Sequence, residues 1–150
     1  MAATYTGSCK CGTIKIEMQG EPDFVGLCHC LNCRKSTSSM FSTNAVFPTT
    51  AFTAFGEPKV YEVKGGSGNP AYAHFCGNCS STMWTLSPLG PNMVVIKVGV
   101  LDGGDLEKLA PKAEVFTSRK PGWVKCVDGA IQFDNAFPVF DEMTKGTELR

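Results

Sequence analysis

Apolar and polar residues alternate with a period of two along much of the chain, first at Thr13–Gln19, where Ile14, Ile16 and Met18 fall between Thr13, Lys15 and Glu17. Alternation of this kind puts one face of an extended segment in a core and the other in water, which predicts a half-buried β-strand. Short runs of similar character follow at Phe24–Cys28, Thr43–Phe47, Lys59–Val63, Ala71–Phe75, Thr82–Leu86 and Met93–Val100. Clusters of Gly, Pro, Asn and Ser separate them, as turns require. The series predicts a mainly β fold of short strands. The helix expected is only a turn or so, Gly104–Leu109, capped by Asp105 and stopped by Pro111. Lys64–Pro70, with Gly65, Gly66 and Gly68, reads as a loop ahead of the strand that delivers Cys76.

A length of 150 residues without a shift in composition predicts a single domain. Acidic and basic residues balance at 14 each, which argues against nucleic acid or an anionic membrane surface as partner and favours small molecules. No apolar run approaches the ~20 residues needed to span a bilayer. Met1 to Ser8 lack the charged and apolar regions of a signal peptide, so the expected location is the cytoplasm. Under reducing conditions closely spaced cysteines are read as metal ligands rather than disulfides.

The cysteine spacing agrees with that reading. Cys9 and Cys11 form C-x-C, Cys28, Cys30 and Cys33 form C-x-C-x2-C, Cys76 and Cys79 form C-x2-C, and Cys126 stands alone. A structural zinc takes four protein ligands, whereas a catalytic one keeps a position for water or substrate. The preferred division joins Cys9, Cys11, Cys76 and Cys79 in a closed structural site and leaves Cys28, Cys30 and Cys33 around an open one. The rival division completes the triad with His29, His74 or Cys126 and gives two closed sites. Alternation along an extended segment points His29 away from the face shared by Cys28 and Cys30, so a packed or hydrogen-bonded imidazole is expected there. His74 is read as an ordinary strand histidine or a partner of the nearby metal site, and Cys126 as a small buried hydrophobe.

Three motifs in order, Gly7-Ser8-Cys9-Lys10-Cys11-Gly12, Cys28-His29-Cys30-Leu31-Asn32-Cys33-Arg34-Lys35 and Phe75-Cys76-Gly77-Asn78-Cys79, resemble the glutathione-dependent formaldehyde-activating enzyme family, also called the centromere protein V domain family. Val115-Phe116 followed by Arg119, Pro121 and Trp123 is similar to a family segment near the carboxyl end. The resemblance implies a β-tent fold, two zinc ions per chain, a structural zinc on the first and third cysteine groups, and a catalytic zinc on the middle triad. This chain has Ser38 and Ser80 where the family often has glycine, and Glu114 where it often has histidine. Those departures leave the expected ligands untouched and alter the pocket around them.

Three thiolates give a zinc site a formal charge of −1 and suit it to soft ligands. A thiol cosubstrate such as glutathione fits the open position, where it would attack an aldehyde or another small electrophile. Arg34 and Lys35 are placed to offset charge or grip a substrate carboxylate. Ser36, Thr37, Ser38 and Ser39 supply hydroxyls, and Asn44 a candidate donor to an oxyanion. Phe41, Phe47, Trp84 and Trp123 are candidate walls, with Trp84 expected beside the structural zinc and Trp123 in a loop that covers a site. The favoured function is a zinc-dependent carbon–sulfur lyase or synthase acting on thiol adducts. The alternatives are a glutathione-independent zinc lyase or hydrolase acting on a specialised metabolite, and a non-catalytic zinc-binding interaction module.

Overall fold

A computed structural model describes residues 2–64 and 70–137. Its strands are Thr4–Ser8 (β1), Lys15–Gln19 (β2), Phe24–Cys28 (β3), Ser42–Pro48 (β4), Phe52–Phe55 (β5), Lys59–Lys64 (β6), Pro70–Phe75 (β7), Thr82–Leu86 (β8), Met93–Lys97 (β9), Leu101–Gly103 (β10), Ala113–Val115 (β11) and Ile131–Gln132 (β12). The α-helix is Leu31–Thr37 (α1). Strands β10-β1-β2-β5 make one sheet and β12-β11-β3-β4-β9-β8-β7-β6 the other. Pairing is antiparallel except at β11, which runs parallel to both β3 and β12. The architecture is the mainly β one that the alternation and the resemblance both predict.

Alternation explains how the sheets meet. Tyr5 on β1 and Ile16 and Met18 on β2 are buried while their neighbours are not, and they join Ala45, Phe47, Met83, Val94 and Ile96 of the larger sheet in one core. At Gly7 the chains approach so closely that a Cβ would lie 2.6 Å from the Val100 carbonyl oxygen. Glycine there lets β1 lie against the segment that leads into β10.

Several elements depart from the sequence expectation. Strands β10, β11 and β12 are two or three residues long, too short to show alternation, and β1 offers only Tyr5 and Gly7 as its inward pair. Helix α1 was not expected, since among its residues only Cys33 is buried and no apolar stripe marks it. It starts instead at a cysteine cap, with the Cys33 amide donating to Cys30 Sγ at 3.3 Å. The helix expected at Gly104–Leu109 is a 3-10 turn, Leu106–Leu109, whose Glu107 amide donates to the Asp105 carboxylate. The strand expected through Val100 ends at Lys97, and Val98–Val100 form another 3-10 turn. Of the expected loop, residues 65–69 lie outside the described residues.

Ser38 ends α1 with φ 54°, and Ser80 in the turn after Cys79 has φ 64°. The left-handed region costs a non-glycine residue about 1–2 kcal/mol, while glycine's extra freedom in the unfolded chain costs about 0.5–1 kcal/mol. The difference predicts that Ser38→Gly stabilises the protein by about 0.5 kcal/mol. Thermal or urea unfolding checks this, and a loss of stability would contradict it.

Candidate metal centres

Cys9 follows β1, Cys11 lies in the turn to β2, and Cys76 and Cys79 lie in the turn between β7 and β8. The four sulfurs lie within 4.8 Å of one another, with Cys9–Cys11 and Cys11–Cys76 each at 3.6 Å. Sulfurs about 2.3 Å from a tetrahedral ion are separated by about 3.8 Å, so this spacing fits a metal of zinc's size. Backbone amides prepare the sulfurs for negative charge, Ile14 N–H donating to Cys9 Sγ at 3.3 Å and Cys79 N–H to Cys76 Sγ at 3.4 Å. The Ser81 hydroxyl leads in lowering the Cys79 thiol to about 5, and the Thr13 hydroxyl in lowering Cys11 to about 7.

The second cluster joins the end of β3 to the start of α1. Cys28, Cys30 and Cys33 also bring their sulfurs within 4.8 Å of one another, and the cluster is largely enclosed. Hydrogen bonds from Cys28 and Cys30 pull Cys33 down to about 2 against the effect of burial, helped by the Lys97 charge and the Asn44 amide. The same contacts with Cys30 and Cys33, together with burial, push Cys28 up. The three sulfurs therefore compete for negative charge when no cation joins them. A soft divalent ion removes that conflict by stabilising all three thiolates.

Among the described residues no fourth His, Cys, Asp or Glu joins this triad. His29 is fully buried with Nε2 2.8 Å from Glu114 Oε1, which places a proton between them; its buried Nδ1 has no hydrogen-bond partner among the described residues. His74 Nδ1 lies 3.0 Å from the Tyr72 carbonyl oxygen, and its ring stacks on Trp84 at 4.9 Å. Cys126, expected to be buried, is exposed and receives a hydrogen bond from Lys120 Nζ at 2.9 Å. Trp84 is buried against His74 and Phe52, whereas Trp123, expected in a covering loop, is 70% exposed.

The residue that sequence reasoning missed is Lys97. It pairs across the sheet with Asn44, is only 7% exposed, and directs Nζ to Asn44 Oδ1 at 3.0 Å and to Cys33 Sγ at 3.9 Å. Asn44 in turn donates Nδ2–H to Cys33 Sγ at 3.7 Å and accepts from Ser42 Oγ at 2.7 Å. The Asn44 amide, expected as an oxyanion donor, directs an N–H at the cysteine. The signal available in the sequence was a lone cation ending an apolar run, Met93 to Ile96. Lys97 also lines a cleft of about 470 Å³ with Ser36, Thr37 and Ser38 on one side and Ser80 and Ser81 on another. Arg34 is half-buried on α1 and Lys35 is exposed; neither lines the cleft.

Glu114 ties the carboxyl-terminal segment to this region. Besides His29 it accepts from Lys120 Nζ at 3.4 Å, Val127 N–H at 2.8 Å and Gln132 Nε2 at 2.9 Å. Burial alone would raise its carboxyl, but the bonds from Gln132, Val127 and His29 and the Lys120 charge outweigh it and lower it to about 2.

A two-sheet β protein with one four-sulfur and one three-sulfur cluster is thus defined by its geometry. The sequence model of the glutathione-dependent formaldehyde-activating enzyme family matches residues 4–119, and the chain belongs to that family. No curated protein sequence matches it. The crystal structure of a Rhodobacter sphaeroides protein is similar in fold, with TM-score 0.55 and 18% identity over 85% of this chain and 98% of that one.

Because folding lowers the Glu114 carboxyl, its stabilising effect is present above the ordinary value of 4.5 and is lost as pH falls through about 2. Wild type should melt above Glu114→Gln at neutral pH, and the two melting temperatures should converge as the pH falls through that interval. A constant gap down to the acid end would contradict this.

Proposed function

We propose that the chain is a zinc-dependent enzyme that makes or breaks a carbon–sulfur bond in the adduct of a thiol, glutathione foremost, with an aldehyde or another small electrophile. The observation that carries this reading is the triad of Cys28, Cys30 and Cys33, three convergent sulfurs without a fourth protein donor among the described residues. The four-sulfur cluster would hold a second zinc in a closed, structural role. When bound to the triad, zinc supplies a soft Lewis acid with a position for a thiolate.

The chain's own residues do the rest. Lys97 and Asn44 direct N–H groups at Cys33, so they offset the negative charge of the triad. His29 and Glu114 hold the segment between Cys28 and Cys30 from behind, and Glu114 carries the carboxyl-terminal segment with it. In the synthetic direction the thiol sulfur bonds to the carbonyl carbon, the π pair moves to oxygen, and that oxygen takes the proton the thiol released. Cleavage is the reverse. Family membership supports glutathione as the thiol.

Cys30→Ser should lose one of the two zinc ions and the turnover of thiol adducts while the protein stays folded. Cys79→Ser should lose zinc and thermal stability together, because a structural zinc contributes directly to folding. Zinc content, circular dichroism and adduct turnover measured on the two variants separate the roles. A Cys30→Ser protein with both zinc ions and full activity would contradict the assignment.

A further inference from the structure

The three sulfurs of the triad are alike in spacing but not in what touches them. Cys33 Sγ receives an N–H from Asn44 Nδ2 at 3.7 Å and another from Lys97 Nζ at 3.9 Å. Cys30 Sγ receives one neutral donor, the Cys33 amide, at 3.3 Å. Among the described residues no cationic side chain hydrogen-bonds to Cys28 or Cys30. The two donors to Cys33 stand opposite each other on β4 and β9, and a third side chain fixes them. Ser42 Oγ and Lys97 Nζ both donate to Asn44 Oδ1, at 2.7 and 3.0 Å, which leaves the amide nitrogen of Asn44 turned to the sulfur.

Lys97 is more than nine-tenths buried and pairs with no carboxylate among the described residues. A buried ammonium needs an anion within reach. Of the two side chains it touches, only the Cys33 sulfur can carry negative charge. Charged N–H donors in turn hold electron density on a thiolate and make it a poorer nucleophile. That matters where a thiol and an electrophile are brought together, because every thiolate ligand of a zinc is itself a nucleophile. Lys97 also lines the open cleft with Ser36, Thr37 and Ser42, so the sulfur it touches is the one linked directly to that space.

We propose that Lys97, oriented by Asn44, guards Cys33: its charged N–H draws electron density from this sulfur, so that with zinc bound Cys33 stays a ligand and is not alkylated by the electrophile the site handles. This deepens the reading of the triad as a zinc site for a thiol and an electrophile, and rests on it. The suppressed reaction is a bond from the Cys33 sulfur to a carbonyl carbon, with the π pair moving to oxygen and a proton from solvent completing the adduct. Lys97 is a positioning residue that acts through Cys33. Withdrawing charge from the ligand leaves the thiol cosubstrate as the preferred nucleophile.

The test uses the zinc-loaded protein and iodoacetamide, a small neutral electrophile whose carbon bonds to sulfur as iodide leaves. Peptide mass spectrometry follows alkylation at each cysteine, and zinc content is measured on the same samples. Cys28 and Cys33 are equally buried, at 7% and 9% exposure, so their order of reaction reports chemistry rather than access. In wild type Cys33 should react several-fold more slowly than Cys28. Lys97→Met should speed alkylation of Cys33 by about tenfold, the scale on which partners of metal ligands act, and Lys97→Arg should keep it slow. Cys9 and Cys76 of the other cluster should keep their rates, whereas an unfolded variant would expose them too. The wild-type comparison stands even where Lys97→Met fails to fold. In the cobalt-substituted protein Lys97→Met should move the sulfur-to-metal charge-transfer band to lower energy, and Lys97→Arg should not. Two zinc ions per chain with Cys33 as reactive as Cys28 in wild type, or a folded Lys97→Met protein with Cys33 no faster, would overturn the guard and leave the zinc reading standing. One zinc ion per chain, held by the four-sulfur cluster, would overturn both.

Discussion

Thiols that converge within hydrogen-bonding distance cannot all ionise unless a cation joins them, and the site geometry of this protein follows from that constraint. In the four-sulfur cluster the ligands come from the end of β1 and from the β7–β8 turn, that is, from different sheets. A metal there would clip the two sheets together at one end, next to the core that contains Cys9 and Cys76. In the triad the same conflict appears as opposite shifts of Cys28 and Cys33, with donors from Lys97 and Asn44 already pointing at the sulfur that carries the charge.

Two structural choices turn that constraint into a site. Cys30 caps α1, so the short helix is held by the same residue that would hold the metal. Lys97 ends β9 after an apolar run, which lets the larger sheet direct a buried cation at Cys33 of the triad. Glu114 and His29 pair beside the site, and the buried carboxylate ties the segment from Ala113 to Gln132 together through three donors, Lys120, Val127 and Gln132. The turn that carries Cys76 and Cys79 also supplies Ser80 and Ser81 to the wall of the cleft that Lys97 lines.

Much of this was legible in the sequence, for identifiable reasons. Alternation located β2, which buries one face, and short apolar runs between turn residues located β3, β4, β6, β7, β8 and β9, while the cysteine spacing grouped the sulfurs as the fold groups them. The rest depends on contacts distant in sequence. Lys97 meets Cys33 across 64 positions and His29 meets Glu114 across 85, distances over which no local pattern carries information. Cys126 was read as buried because isolated cysteines usually are, yet it sits exposed beside Lys120. Helix α1 escaped notice because its cap and its buried residue are both cysteines, and neither belongs to the usual vocabulary of helix signals.

The central claim, one closed and one open cysteine site, is tested most directly by counting metal before and after mild chelation and then titrating the cobalt-substituted protein with glutathione. The account predicts two metal ions per chain, one easily removed, with an absorption band that shifts as thiol is added. Two tightly held ions whose spectrum ignores thiol would contradict it and mark both clusters as structural.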